Sequence, residues 1–395
     1  MYKRREYELI RSRLLEPRHL MQLVLGPRHV GKTTTVRQVL ADLGKPFLYF
    51  SADDDRGSGA DWLSRCWDTA RIEATRTADQ ELILVIDEVQ KIPNWVEVVK
   101  KEWDSDTCHD RKLKVLLIGS SQARYRSDLT ESPAGRFEEI RMTHWSYAEM
   151  REAFGMGLDE YVWFGDYPGA ALHLPDEEDW RSAVRDAAVD SVLQRDILED
   201  NRIANVSLLK RTLELGIERS GSVLSLTRFL AELQDGGNVA TVAGYLEKLH
   251  QSGLLGTLPK YSADVVRRRA SIPKFQVHNN ALFAALSGRT FAEARRDPVF
   301  WDRCVISAVG AHLMTESVRK GFELSYWKDG RYEVDFVLRL RGKLLALQVQ
   351  SGYAKNTRGL DKFCERFSPS RSLVVGSGGL SLETFFSMDP EDLFP

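Results

Sequence analysis

Cysteine is scarce in this chain and shows no pattern. The four in 395 residues, Cys66, Cys108, Cys304 and Cys364, stand at no ligand-like spacing. That argues against a structural zinc site and for reduced thiols in a cytosolic protein. Long apolar runs are missing too, so no segment is expected to span a bilayer. The basic start Met1-Tyr2-Lys3-Arg4-Arg5-Glu6 lacks the apolar segment that follows in a signal peptide. A cytoplasmic address and no membrane partner are the expectation. Charge of one sign is not in excess: 55 Lys and Arg against 57 Asp and Glu give a net −2. This excludes a uniformly basic nucleic-acid coat and leaves a local basic face open. Internal repeats and low-complexity tracts are also absent, which speaks against a passive scaffold. What remains is ordinary globular composition, 43% hydrophobic, in a length that suits two or three domains.

Against that background one segment stands out. Gly26-Pro27-Arg28-His29-Val30-Gly31-Lys32-Thr33 fills every fixed position of the phosphate-loop pattern G-x-x-x-x-G-K-[ST]. It follows the apolar run 20–25, read as a buried strand, and precedes a helix expected over 33–41, so backbone N–H groups converge where an anion fits. The glycines allow a tight curl, Lys32 can neutralise terminal phosphates and the Thr33 hydroxyl can ligate magnesium. The expected nucleotide contacts are Gly26, Pro27, Arg28, His29, Val30, Gly31, Lys32, Thr33 and Thr34, with ATP and Mg2+ as ligands. No motif specific for the base is visible, so ATP against GTP is weakly determined by this chemistry.

A second apolar run, 81–86, ends in the carboxylates Asp87 and Glu88. At the end of a parallel strand, Asp87 would hold the magnesium, and Glu88 would orient and deprotonate the attacking water. A third run, 114–118, ends at Gly119-Ser120-Ser121. It places Ser120 to bond the terminal phosphate or the water, unless it is an ordinary turn residue. Residues 46–50 read as a further strand leading to Asp53-Asp54-Asp55, a solvated loop rather than a second metal site.

These motifs, with Val89-Gln90, Ile92-Pro93-Asn94-Trp95 and Ala134-Gly135-Arg136, resemble the prokaryotic AAA+ type ATPases that carry a C-terminal domain long catalogued as of unknown function. The resemblance implies an α/β, P-loop NTPase core with a parallel sheet over residues 1–152. It also brings Gln90 and Arg136 into the site. Gln90 would contact water or phosphate, or be a polar helix start. Arg136 would meet charge developing on the transferred phosphoryl group, or form a surface ion pair with Glu138 or Glu139. Whether Arg136 serves its own chain's nucleotide or a neighbour's in a homo-oligomer is left open.

Beyond residue 152 a helical connector is expected to 204, with Ser146 capping a helix ahead of it and helices from about 177 to 199, of which 181–199 reads as amphipathic and carries Arg195 and Asp196. Residues 205–285 read as three short helices and a hairpin, the build of a winged helix-turn-helix. Val242, Tyr245, Leu246 and Leu249 give its third helix an apolar stripe. Arg267, Arg268 and Arg269 would lie in the wing and meet phosphate, while Thr241, Tyr245 or Lys248 approach the bases of double-stranded DNA. Docking of a protein partner is the alternative.

Residues 286–395 resemble the restriction-endonuclease-like, or PD-(D/E)XK-like, α/β core. A helix over 297–318 carries Glu316, three strands follow, and Asp329-Gly330 marks a hairpin turn. Asp335 stands at that core's acidic position, but the next strand reads Gln348-Val349-Gln350 where a carboxylate and a lysine belong. Neutral amides are poor magnesium ligands, so no cutting of nucleic acid is expected. Lys343, Lys355, Arg358 and Lys362 surround the region as a binding or merely solvated surface. Two functional readings stand: an ATP hydrolase that moves DNA- or protein-binding C-terminal domains, or a nucleotide-gated switch with little turnover.

Overall fold

The structure, a computed structural model, describes residues 1–53, 59–77, 81–119, 135–190, 192–193, 203, 205–233, 237–264, 271–352 and 357–394. The chain divides into two compact units, Met1–Met142 and Thr143–Pro395. Among the described residues no helix is long and apolar enough to cross a membrane.

The first unit alternates strand and helix: α1 (Tyr7–Leu15), β1 (Met21–Leu25), α2 (Lys32–Leu43), β2 (Phe47–Ser51), α3 (Ala60–Ala74), β3 (Leu82–Asp87), α4 (Trp95–Cys108), β4 (Leu113–Gly119) and β5 (Phe137–Arg141). The five strands form one parallel sheet in the order β2-β3-β4-β1-β5. Its inner strands are buried throughout and apolar except for Gln22, Lys114 and Asp87, because both faces are covered. Val24, Ile83, Val85, Leu116 and Ile118 face α1 and α2, while Leu23, Leu84, Ile86, Val115 and Leu117 face the tryptophan-rich α3 and α4. Strand β5 was not foreseen in the sequence; its outward residues Glu138, Glu139 and Arg141 break the apolar run.

Register matters more than composition for the site. Leu25 lies beside Gly119, Ile86 beside Leu117 and Ser51 beside Asp87, so the strand ends that carry the motifs share one edge. Gly26 has no room for a side chain: a Cβ there would fall 2.0 Å from the Met142 carbonyl oxygen. The Met142 N–H, in turn, donates to the Leu25 carbonyl at 2.8 Å. The unit closes at Met142, and the boundary expected at 152 lies beyond it. The following helix, α5 (Tyr147–Phe154), opens with the expected Ser146 cap, completed by Glu149 as a capping box. It packs with α6 (Leu158–Phe164) in the second unit, where the Tyr161 hydroxyl donates to the Trp145 carbonyl.

The second unit continues with α7 (Glu177–Val184), which passes into a π-helical turn at Arg185–Asp190; residues 194–200 of the expected helix lie outside the described residues. Arg195 and Asp196 lie outside the described residues. Then come α8 (Val206–Glu218), α9 (Leu226–Leu233), α10 (Val239–Gln251) and an antiparallel hairpin of β6 (Leu255–Leu258) and β7 (Lys274–Val277). A lone bridge joins Val223 to Lys274. Helices α11 (Asn280–Leu286) and α12 (Phe291–Arg296) lead to α13 (Pro298–Lys320). A four-stranded sheet follows, built from β8 (Glu323–Asp329), β9 (Tyr332–Leu340), β10 (Lys343–Gln350) and β11 (Arg371–Gly376), with α14 (Arg358–Phe367) before β11. Its order is β11-β10-β9-β8, antiparallel except for the β10 to β11 pair. The expected boundaries at 204 and 285 fall inside this unit. Ser220 bonds Ser307 across 2.7 Å, and Lys274 donates to the Asp335 carbonyl at 3.0 Å.

Candidate functional site

The strand-to-helix turn after β1 is shaped by two residues with positive φ, His29 at 64° and Gly31 at 92°. Gly31 precedes the first turn of α2, so the helix N-terminus opens towards the loop. Lys32 is buried, and its ammonium folds back to donate to the carbonyls of Gly26 at 2.9 Å and Pro27 at 2.7 Å. A cation thus stands inside the loop, bonded to two of its carbonyls. Beneath the loop, the buried Arg4 donates from Nη1 to the Val30 carbonyl at 2.5 Å. The sequence reading took Arg4 for part of a basic N-terminal run and missed this support.

Asp87 ends β3 two strands away from β1, yet Thr33 reaches it. The Thr33 hydroxyl donates to Asp87 Oδ2 at 2.8 Å across 54 residues of sequence. The Tyr49 hydroxyl donates to the same oxygen, and the Glu88 N–H donates to Oδ1 at 2.8 Å. Burial first, and the Asp87 carboxylate second, push the Tyr49 hydroxyl well above the usual phenol range, so it remains a donor. Tyr49 was not foreseen as a site residue. Its one signal was a place in β2, on the same strand face as Ser51, the register partner of Asp87.

Glu88 follows in a left-handed conformation, φ 54°. Its Oε2 accepts from Gln90 Nε2 and lies 3.4 Å from Arg28 Nη2. Gln90 thus addresses the Glu88 carboxylate. The donor set fits a magnesium-bound polyphosphate. Hard oxygens of Thr33 and Asp87 stand side by side, a buried ammonium is in the loop, and a glycine with positive φ lets backbone N–H groups face inward.

Two expected site residues stand apart. Ser120 lies outside the described residues, directly after Gly119. Arg136 precedes β5, and its carbonyl accepts from the Met21 N–H at 2.8 Å, at the opposite strand end from the loop. Its guanidinium is bidentate to Asp104 of α4, at 2.8 and 2.9 Å, and one-third exposed. Parallel pairing with β1 puts Arg136 beside the start of the strand whose end bears the loop. Its ion-pair partner is Asp104, not Glu138 or Glu139.

Residues 18–151 match the family model described as AAA domain. The loop, the strand order and the Thr33 to Asp87 contact all lie inside the residues so matched. Residues 156–293 match the model described as Domain of unknown function (DUF8612), and 305–385 that described as Domain of unknown function (DUF4143). A Haemophilus influenzae protein described as uncharacterized is 19% identical over 320 residues, 76% of this chain and 74% of its own. Among solved structures, the Walker-type ATPase paby2304 of Pyrococcus abyssi is similar at a TM-score of 0.48 and 17% identity. That match covers 72% of this chain and 96% of that one. The Aeropyrum pernix Orc1 protein, solved in complex with DNA, gives 0.31 and 16%, over 74% and 92%.

In the second unit the expected DNA-facing residues are only partly placed. Tyr245 is corrected: it is 5% exposed within the apolar stripe of α10, and its hydroxyl accepts from the Asn205 N–H at 3.2 Å, so it cannot meet a base. The Thr241 hydroxyl donates to the helix-capping Asn238 at 3.1 Å, and Lys248 lies partly exposed in the last turn. Arg267, Arg268, Arg269 and Lys355 lie outside the described residues. Asp335 of β9 is buried; its Oδ2 accepts from Gln348 Nε2 and from the Val349 N–H at 2.9 Å. Lys274 of β7, fully buried, stands 3.7 Å from its Oδ1. Glu316 is buried and paired with Arg319.

Proposed function

We propose that this chain binds ATP with magnesium at residues 26–34 and hydrolyses it, and that the AAA domain thereby drives or gates residues 143–395. The observation that carries the reading is the Thr33 hydroxyl on Asp87 beside the buried Lys32 ammonium. Magnesium, when bound, neutralises phosphate charge between Thr33 and Asp87. The loop N–H groups and Lys32 hold the phosphates, and Glu88 takes the proton of the attacking water. Arg136 is a residue for a neighbouring chain's nucleotide in a homo-oligomer. Ser120 is a further contact to the terminal phosphate.

The order α8, α9, α10, β6, β7 supports a winged helix that docks double-stranded DNA or a protein. The order α13, β8, β9, β10, α14, β11 supports a restriction-endonuclease-like core. That core does not cut nucleic acid, because Lys274, Gln348 and the Val349 N–H occupy the carboxylate that a metal would need. A second reading, the nucleotide-gated switch, draws on the Glu88 carboxylate being engaged by Arg28 and Gln90.

Steady-state ATP hydrolysis with and without duplex DNA tests both. Lys32→Ala and Glu88→Gln are each expected to lower the rate by about 100-fold or more. Stimulation by DNA supports the docking role. ATP binding without turnover in the native protein defeats the hydrolase reading and leaves the switch.

A further inference from the structure

The phosphate loop carries a side chain that cradling phosphate does not require. Backbone N–H groups, Lys32 and Thr33 complete a cradle by themselves, yet Arg28 points its guanidinium towards Glu88 rather than into solvent. Its side chain is 8% exposed and that of Glu88 16%, with Nη2 to Oε2 at 3.4 Å. The same Oε2 accepts from Gln90 Nε2, and Gln90 is itself buried. Glu88 is held for this contact by its left-handed backbone and by its N–H bond to Asp87 Oδ1. The carboxylate oxygen that would take a proton from water is therefore engaged by two donors from different elements.

Resting on the ATP-binding reading, we propose that Arg28 and Gln90 form a latch on Glu88 in the nucleotide-free chain, and that the terminal phosphate of ATP opens it by taking the Arg28 guanidinium. The competition favours phosphate. A guanidinium matches two phosphate oxygens in a fork of short charge-assisted bonds, whereas its bond to Glu88 is single and long at 3.4 Å. Arg28 lies between Gly26 and Lys32 within the proposed phosphate loop, and its guanidinium reaches Glu88, the proposed base for water attacking the terminal phosphate. ADP lacks that phosphate and leaves the latch closed. Arg28 is then a positioning residue that makes the base available only when a hydrolysable phosphate is present.

The test is a double-substitution cycle read by binding, without turnover. Affinities for fluorescent ADP and for a fluorescent β,γ-imido ATP analogue are measured on native protein, Arg28→Met, Glu88→Gln and the pair. The cycle cancels direct effects of either residue on phosphate and keeps only their mutual interaction. For the ATP analogue, the latch makes the product of the two single effects exceed the double effect by about tenfold, the scale of a charge-assisted bond broken on binding. For ADP the effects multiply to within about twofold, and ADP binding by each variant shows that the loop is folded. Additive effects for both nucleotides overturn the latch while the ATP reading stands. Native protein that binds neither nucleotide overturns both.

Discussion

Asp87 accepts three hydrogen bonds, from Thr33, Tyr49 and the Glu88 N–H, and only the first comes from a motif. The Tyr49 donor holds the same carboxylate oxygen as Thr33, so Tyr49→Phe frees Asp87 to rotate without removing any proposed phosphate contact. The expected outcome is a loss of about 1 kcal/mol in stability, as for one buried hydrogen bond. A roughly tenfold fall in kcat, with nucleotide affinity nearly kept, follows from a misplaced metal ligand. Thermal unfolding and steady-state kinetics check both. Because burial and Asp87 keep the Tyr49 proton on well past the usual phenol range, the penalty should be constant from pH 7 to 10. Disappearance of the penalty at the top of that range would mean that Tyr49 ionises and the assignment fails. Lys32, Thr33, Asp87 and Glu88 were legible in the sequence because their chemistry is local to one turn and one strand end. Tyr49, Arg4 and the Arg28 to Glu88 contact were not, since they depend on which strands lie side by side. Arg136 was legible as a motif residue, but its distance from its own chain's loop was not, because that depends on the direction of β5 in the sheet.

At the scale of elements, β7 meets β9 through a lysine with no exposed surface. Lys274 donates to the Asp335 carbonyl, stands 3.7 Å from its carboxylate and lies over the Phe336 ring at 4.6 Å. Burying both ions gains little net stability, but removing one leaves the other uncompensated. Lys274→Met should therefore cost the second unit about 3 to 5 kcal/mol in urea unfolding, and adding Asp335→Asn should return most of it. Equal stability of native and Lys274→Met proteins would show that the carboxylate does not need this cation.

The same hairpin ends beside a histidine pair: His278 Nε2 lies 2.9 Å from Nδ1 of His250 on α10. Burial, then His250 and His144, hold the His278 imidazole well below its ordinary 6.5. The unfolded chain thus takes up a proton that the folded one refuses. Stability from this residue is fully present above pH 6.5 and falls as pH drops below it, by up to about 1.4 kcal/mol per pH unit. The denaturant midpoint of His278→Gln should change less between pH 7.5 and 5.5 than that of the native protein. Equal changes would exclude His278 as the source. Apolar periodicity and the Asp329-Gly330 turn made the strands of this unit legible. A fully buried lysine runs against the ordinary habit of its residue type and was not.

For the whole molecule, the two units have separate cores, and the proposed function requires free energy from the nucleotide to reach residues beyond 142. A ligand shifts an equilibrium only by its differential affinity for the two states, so coupling must leave a trace in the second unit even at rest. Native-state hydrogen exchange reads it by segment. Saturation with a non-hydrolysable ATP analogue should raise protection in the loop and α2. It should also alter protection in α10, β6 and β7, with both changes absent in Lys32→Ala. Slowly exchanging amides report opening free energies directly, and a coupling of 1 to 3 kcal/mol, the common range, is a roughly 5- to 150-fold change in exchange rate. Protection that changes only within Met1–Met142 would confine the nucleotide's effect to the first unit. In that case hydrolysis could not be what moves the C-terminal half, and the two units would have to communicate through a bound partner.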